Sequence, residues 1–178
     1  MKGRGAFNLA LVIAAMLATA PVRAAPAPET AVKATYLYKF APFVTWPVAG
    51  SGPVNICIVG DDPFGADLDR AVAGQTLDGR PFQIVRVDTI GPQSTCPIAF
   101  IAGSRAQSVA AALKAVYGAP VLTVTDEGTD AGIIAFAMQD DHVRFRIDQE
   151  AAQDGGLVIS SQLLSLALSV RTKRALRP

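Results

Sequence analysis

Apolar residues near the start of the chain recur at intervals of three or four positions, the spacing of an amphipathic helix. The residues at this spacing are Val32, Tyr36, Phe40 and Phe43. Thr30 is available as the N-cap of this helix. Pro42 should end or kink it near residue 41, because proline lacks the backbone donor that a helix interior needs.

The same reasoning predicts three further helices. One covers residues 63–73, with Asp62 as N-cap and Pro63 at the first helical position. Another covers residues 105–117, with Ser104 as N-cap and Gly118 closing it. The last begins after Ser160 or Ser161 and carries the apolar residues Leu163, Leu164, Leu166, Ala167, Leu168 and Val170.

Short apolar segments between these helices predict strands. Residues 54–59, 98–102 and 121–125 are mainly apolar runs, and residues 82–87 alternate. Two later runs flank residues 139–142, which is typical of a hairpin. We therefore predict an α/β fold, a three-layer sandwich in which helices cover both faces of a mostly parallel sheet. An antiparallel C-terminal hairpin is expected at the edge of that sheet.

The first 24 residues have the pattern of an export signal. Lys2 and Arg4 precede an almost wholly apolar stretch over residues 6–18, which is shorter than the roughly 20 residues that a membrane span requires. We expect cleavage after Ala24, a disordered leader over residues 25–30 and one domain over residues 31–174. An uncleaved N-terminal anchor is the alternative, and the length and flanks of the stretch fit it less well.

Cleavage would also change the charge of the protein. Removal of Lys2, Arg4 and Arg23 turns the formal net charge from +1 to −2. A weakly acidic domain has no net electrostatic attraction to nucleic acid or anionic lipid. Near the C-terminus a basic cluster is interpreted as complementing the dipole of the final helix. Its members are Arg171, Lys173, Arg174 and Arg177.

Two cysteines, Cys57 and Cys96, remain in the exported chain. In an oxidising compartment an even number of cysteines favours a disulfide, and two cysteines allow one intramolecular pairing. Metal binding is the competing interpretation. It is weaker, because the sequence has no C-x-x-C motif and its one histidine, His142, is distant.

The sequence carries no residue set that is typical of catalysis or of a cofactor site. The turn at residues 60–65 lacks the G-x-G-x-x-G spacing of dinucleotide-binding loops. A serine hydrolase needs a histidine base, and His142 lies in a predicted turn. We therefore expect a protein that is not an enzyme and that binds neither a metal nor another cofactor.

Five aromatic residues fall within the eleven positions 36–46. Core packing explains the three that share a helix face, Tyr36, Phe40 and Phe43. A partner-binding surface is the alternative role for Tyr38, which points elsewhere, and for Trp46, which follows the proline. Phe64 is a third candidate for partner binding, because it lies beside the crevice expected at the carboxyl ends of the strands.

Several segments resemble the YfiR-like family in order and spacing. Residues 31–40 and 43–47 read AVKATYLYKF and FVTWP, similar to the family's VKAAYLYNFAKFVEWP. Residues 56–64 read ICIVGDDPF, similar to ICVLGDDPF, and residues 96–101 read CPIAFI, similar to CHILFIS. Residues 143–164 contain VRFRID, AA and GLVISSQLL, similar to VRFEINxxAAxxAGLxISSxLL.

This resemblance implies a periplasmic regulator with an α/β sandwich fold that can form a homodimer. It implies that the protein binds the periplasmic sensor domain of an inner-membrane diguanylate cyclase and represses cyclic di-GMP synthesis. An OmpA-like outer-membrane lipoprotein would sequester the repressor, and the family's disulfide maps onto Cys57 and Cys96. The alternative function is small-ligand binding in the crevice near residues 60–64 and 103–105.

Overall fold

A computed structural model describes residues 28–48, 50–128 and 131–172. The predicted signal peptide and the first residues of the predicted leader lie outside this part of the chain. Glu29 and Thr30, which were expected in the leader, belong to the first helix. Among the described residues, no helix combines the length and the apolar character that crossing a membrane requires.

The described residues contain ten strands. They are β1 (Val44–Thr45), β2 (Val54–Gly60), β3 (Thr76–Leu77), β4 (Arg80–Val87), β5 (Ile98–Gly103), β6 (Leu122–Thr125), β7 (Ile134–Gln139), β8 (His142–Asp148), β9 (Val158–Ile159) and β10 (Val170–Arg171). Eight of these form one sheet in the order β10-β8-β7-β6-β5-β2-β4-β3, and β1 pairs with β9. The pairs from β4 through β2, β5 and β6 to β7 are parallel, and β7 and β8 form the antiparallel hairpin.

Five α-helices accompany these strands in the described part of the chain. They are α1 (Glu29–Lys39), α2 (Ala66–Val72), α3 (Val109–Ala115), α4 (Gln149–Asp154) and α5 (Ser161–Leu166). A short 3₁₀ turn, Ala41–Phe43, follows α1 and contains Pro42, in agreement with the expected end of that helix. The sequence pattern did not predict α4, which Asp148 caps through its side chain.

The side chains of the sheet point alternately to two separate layers of helix. Ile56 and Ile58 pack in one cluster with Leu37 of α1 and Leu68 of α2. Cys57 and Val59, which alternate with them along β2, pack in the other cluster with Ala112 and Val116 near α3. Because helices cover both faces of the sheet, the buried apolar strands expected from the sequence are confirmed, and so is the three-layer α/β sandwich.

The predicted N-caps of three helices are wrong. Pro28 rather than Thr30 precedes α1, α2 begins at Ala66, and α3 begins at Val109 with Ser108 as its N-cap. The carboxylate of Asp62 accepts hydrogen bonds from the backbone N–H groups of Phe64 and Gly65, at 2.8 and 3.1 Å. The hydroxyl of Ser104 accepts similarly from residues 106 and 107. Both side chains close turns that precede the helices, because these residues satisfy local backbone donors equally well outside a helix.

The end of the domain also differs from the prediction. Helix α5 ends at Leu166, and the backbone becomes extended at Ala167. Val170 therefore lies in a strand, β10, which pairs in parallel with β8 through Val170 and Ile147. Strand β10 thus adds two residues beyond the hairpin, at the edge of the sheet. Its backbone forms hydrogen bonds with backbone groups of β8 that would otherwise belong to an open edge.

Candidate functional site

An open groove of about 920 Å³ lies at the edge of the sheet where three parallel strands begin. Val54 at the start of β2, Pro97 just before β5 and Val121 just before β6 line it. The sequence analysis expected a crevice at the opposite edge, where these strands end. The groove that Trp46 lines is instead at the amino ends of the strands.

Trp46 forms part of the groove wall. It directly follows β1, whose residue Val44 pairs with Ile159 of β9, and this pairing fixes the path of the chain into the groove. The indole is half-buried, and its Nε1 donates a hydrogen bond to the carbonyl oxygen of Pro97 at 3.2 Å. The indole is thus held to the domain through its Nε1 edge, and it also lines the groove.

The described lining of the groove is mainly apolar. Its apolar members are Ala41, Pro42, Val44, Trp46, Val48, Pro53, Val54, Leu77, Pro92, Pro97, Ala119, Pro120 and Val121. Val48 at the mouth is 77% exposed. Asp78 and Arg80 are the charged side chains in the described lining, and they form no ion pair with each other. This chemistry suits the binding of an apolar surface and supplies no nucleophile paired with a base.

A disulfide between Cys57 and Cys96 lies at the wall of the groove. The two Cα atoms are 5.8 Å apart, within the range that a disulfide spans, which is consistent with the pairing expected from the sequence. Cys57 lies inside β2, whereas Cys96 lines the groove and directly precedes Pro97. The bond therefore fastens the segment that accepts the Trp46 hydrogen bond onto β2.

The other two candidate residues do not line the groove. Tyr38 is half-buried on α1, and the edge of its ring meets Phe82 of β4 at a centroid distance of 5.9 Å. Phe64 is 4% exposed and packs against Phe100 of β5 at 4.7 Å. Phe64 is therefore a core residue, which corrects the expectation that it offers a surface to a partner. The structure does not bring these three aromatic residues together.

The crevice expected at the carboxyl ends of the strands exists, but it is smaller and acidic. Its volume is about 370 Å³. The charged residues in its lining are Asp61, Asp62, Asp126 and Glu127. Within residues 28–48, 50–128 and 131–172, no group of three or more His, Cys, Asp or Glu side chains is arranged to hold a metal ion.

Asp62 is tied to a neighbouring arginine. Arg86 of β4 donates from Nε to Asp62 at 2.7 Å and from Nη2 to Asp69 at 2.8 Å. Partial burial alone would raise the pKa of Asp62. The hydrogen bonds from Arg86 and from the backbone of Phe64 and Gly65 outweigh burial and lower that pKa below its ordinary value. The same carboxylates raise the pKa of Arg86.

Replacing Asp62 with asparagine should lower the free energy of unfolding by about 1–2 kcal/mol at neutral pH, since charged hydrogen bonds to Arg86 are lost. Because the folded pKa of Asp62 is depressed, its contribution is present above the ordinary value of 3.8 and disappears as the pH falls through the folded pKa. Urea unfolding near pH 7 and near pH 3 would measure both effects. The more exposed Asp69→Asn variant is the control and should lose less stability. Equal losses in the two variants, or a loss that does not shrink at acid pH, would contradict this role.

A buried lysine that the sequence analysis did not single out lies on α1. Lys33 is 5% exposed, and its Nζ donates to Asp126 at 2.6 Å and forms an ion pair with Glu29. Burial lowers the pKa of Lys33, but the hydrogen bonds to Asp126 and Glu29 outweigh burial and raise it. The contact with Asp126 fastens α1 to the loop after β6. In the sequence, the sign of this burial is that Lys33 lies between the apolar helix residues Val32 and Ala34.

A family model described as YfiR/HmsC-like matches residues 30–168. This range includes all five helices except the first residue of α1, and it contains Trp46 and both cysteines. No curated protein matches the sequence.

Proposed function

The chain belongs to the YfiR/HmsC-like family, and from this premise we propose that it is a periplasmic repressor of cyclic di-GMP synthesis. In this proposal the exported domain binds the periplasmic sensor domain of an inner-membrane diguanylate cyclase and holds the enzyme in its inactive state. An OmpA-like outer-membrane lipoprotein would compete for the repressor and release the cyclase. The protein would act through its surfaces, as a regulator and not as an enzyme.

The observation that carries the proposal, beside the family, is the apolar groove around Trp46. Shifting a two-state enzyme from mostly active to mostly inactive requires several kcal/mol of differential affinity for the inactive state. A few desolvated aromatic anchors commonly supply most of such an energy, and tryptophan is prominent among them. Trp46 is held in place on one side and borders the groove on the other, so it is the first candidate anchor. Tyr38 is the second.

Deleting the gene should raise cyclic di-GMP and biofilm formation, and the wild-type gene should restore both. A Trp46→Ala variant should fail to restore them, because truncating a central tryptophan typically costs about 2 kcal/mol or more, which is roughly 30-fold in affinity. Binding of the purified variant to the cyclase sensor domain would be measured by calorimetry. Immunoblotting of the periplasmic fraction and circular dichroism would verify that the variant accumulates folded.

Two further variants separate a binding role of Trp46 from a structural one. Val48→Asp places a charge at the exposed mouth of the groove and should weaken binding without unfolding the domain. Met138→Ala truncates an exposed apolar side chain at the opposite edge of the sheet and should repress normally. Normal repression by the Val48→Asp variant would argue against the groove. An unchanged cyclic di-GMP level after deletion, in cells that express the protein, would overturn the repressor proposal.

Small-ligand binding is the second candidate function. The crevice at the carboxyl ends of the strands has a volume of about 370 Å³, within the range of small-molecule sites. This function would take precedence if deletion left cyclic di-GMP unchanged and a ligand that co-purifies with the protein were lost on substituting residues of the crevice.

A further inference from the structure

One edge of the eight-stranded sheet is only partly covered. Strand β3 pairs with the first two residues of β4, Arg80 and Pro81, and the N–H of Phe82 donates to the carbonyl oxygen of Gln75 at 3.3 Å. Residues 83–87 form the rest of β4. Within the described part of the chain, no segment pairs with them on the side that faces away from β2. We call these five residues the open edge of β4, and it is about 16 Å long.

The hydrogen bond of Phe82 shows which backbone groups of the open edge lack a partner. The N–H of Phe82 points away from β2, and alternate residues of a strand direct their N–H and C=O groups to the same side. The N–H and C=O groups of Ile84 and Arg86 therefore point away from β2 as well. On that side neither residue forms a backbone hydrogen bond with any described residue. The open edge thus presents two donors and two acceptors at the spacing of a strand.

The apolar side chains of β4 are also incompletely covered. Phe82 and Ile84 pack on the cluster that contains residues of α1 and α2, and Val85 and Val87 pack on the cluster near α3. All four side chains are half-buried, whereas the residues of β2 that they pair with are buried. A strand added beyond β4 would cover these side chains on both faces of the sheet, as β4 covers those of β2.

Arg86 is the charged residue of the open edge, and it does not protect that edge. Charged side chains on edge strands commonly prevent unwanted pairing. The guanidinium of Arg86 is instead held by the turn before α2 and by α2 itself. It donates to Asp62 at 2.7 Å, to Asp69 at 2.8 Å and to the carbonyl oxygen of Gly65 at 3.1 Å. Its charge is therefore directed at the domain and leaves the backbone of the edge accessible.

We propose that an extended segment of the cyclase sensor domain adds to the open edge of β4 as a further strand. This inference rests on the proposed function and names the way in which the partner is bound. Backbone donors and acceptors that alternate at strand spacing select an extended chain, because a small ligand, an anion or a lipid does not match them over this length. The added segment would carry apolar side chains on both faces, opposite the half-buried residues of β4.

The open edge continues the surface that is proposed to bind the partner. The turn that joins β3 to β4, with Asp78 and Arg80, lines the groove that contains Trp46. Tyr38, the second candidate anchor, meets Phe82 edge to face at the start of the open edge. A single partner can therefore contact the groove and the edge together.

A second copy of this chain is the competing occupant. Two-fold antiparallel pairing of two β4 strands about Val85 would place Arg86 of each copy opposite Ile84 of the other, so that a charged side chain would meet an apolar one. Five residues are also far fewer than the roughly 20–30 residues per side of a stable protein–protein interface. A partner that also fills the groove meets this requirement.

Amide hydrogen exchange of the full exported protein, followed by NMR with and without the purified sensor domain, tests the proposal. The amides of Ile84 and Arg86 should exchange rapidly in the free protein and at least about tenfold more slowly in the complex, because the added strand supplies acceptors. The amide of Val143 is the matched control. It faces the outer side of β8, because the N–H of Ile147, four residues later, donates to Ser169 on that side. Its exchange should be the same in both samples.

Proline substitutions at the two edges give a second measurement. Ile84→Pro removes an outward N–H and leaves the hydrogen bonds to β2 in place, a position that tolerates proline. This variant should bind the sensor domain about tenfold more weakly, because a main-chain hydrogen bond is lost. Val143→Pro makes the matched change at the opposite edge and should bind like the wild type. Circular dichroism would show whether both variants are folded, and the exchange experiment needs neither of them.

The outcomes separate this proposal from the proposed function. Binding of the sensor domain without slower exchange at Ile84 and Arg86, or with equal slowing at Val143, would overturn strand addition and leave the repressor proposal standing. No binding at all would overturn both. Exchange at Ile84 and Arg86 that slows as the concentration of the protein alone is raised would assign the edge to a second copy, and would also overturn the proposal.

Discussion

Replacing Phe64 with alanine is expected to lower the free energy of unfolding by about 3–5 kcal/mol, the typical cost of deleting a buried aromatic side chain. The ring is 4% exposed and meets Phe100 edge to face at a centroid distance of 4.7 Å. It fills the space between the turn before α2 and the central strand β5, so its removal leaves a cavity that rigid neighbours cannot close. Urea or thermal unfolding of the purified protein would measure the loss.

The control for this experiment is a side chain that the structure leaves in water. Val48→Ala should change stability by no more than about 0.5 kcal/mol, because Val48 is 77% exposed. A Phe64→Ala protein that is as stable as the wild type but no longer binds its partner would contradict the assignment of Phe64 to the core. It would return this residue to the partner-binding surface that the sequence suggested.

Removing the disulfide is expected to cost about 2–4 kcal/mol, because the crosslink restricts the unfolded chain over a loop of 39 residues. Cys57→Ala tests this loss. The double variant Cys57→Ala/Cys96→Ala excludes effects of a remaining free thiol. Denaturant unfolding with and without a reducing agent would show whether reduction of the wild type reproduces the loss in the variants.

The same experiment reports on the groove. Trp46 is the single tryptophan of the sequence, and its indole donates to Pro97, the residue after Cys96. Its fluorescence should therefore change when the disulfide is removed, at denaturant concentrations where the domain is still folded. Two free thiols on alkylation of the native exported protein would contradict the disulfide itself. An unchanged emission spectrum in the double variant would show that the crosslink does not position Trp46.

The central part of the fold follows from the sequence. Residues 54–59 and 98–102 are mainly apolar runs of strand length, and a strand of this kind is stable only when both of its faces are covered. Such strands separated by helices give a parallel sheet through right-handed crossovers. The hairpin of β7 and β8 was predicted from the two apolar runs that flank residues 139–142. In the structure Asp140 and Asp141 adopt the positive φ angles of a tight two-residue turn.

The candidate site was predictable only in part. An unusual density of aromatic residues at positions 36–46 indicated Trp46, which lines the groove. Phe64 was a candidate on another ground, its place beside the expected crevice. The sequence could not show that it is buried, since an aromatic side chain serves equally well as a core residue and as an anchor. The groove itself was not predicted, because the sequence analysis expected a crevice only at the carboxyl ends of the strands. Its wall is assembled from loops distant in sequence, and nothing local in those loops indicates that they meet.

The sequence by itself thus determined the elements with strong periodicity, the order of layers and the resemblance to the family. The tertiary structure decided which side chains are buried and which are exposed. Lys33 is buried because the carboxylates of Asp126 and Glu29 pair with its ammonium group. Strand β10 forms because β8 offers a free edge, although Val170 and Arg171 show no strand periodicity in the sequence. Local propensity acts over a few residues, whereas burial and exposure depend on what other segments place on top of a side chain. For that reason the groove around Trp46 became visible only in the folded chain.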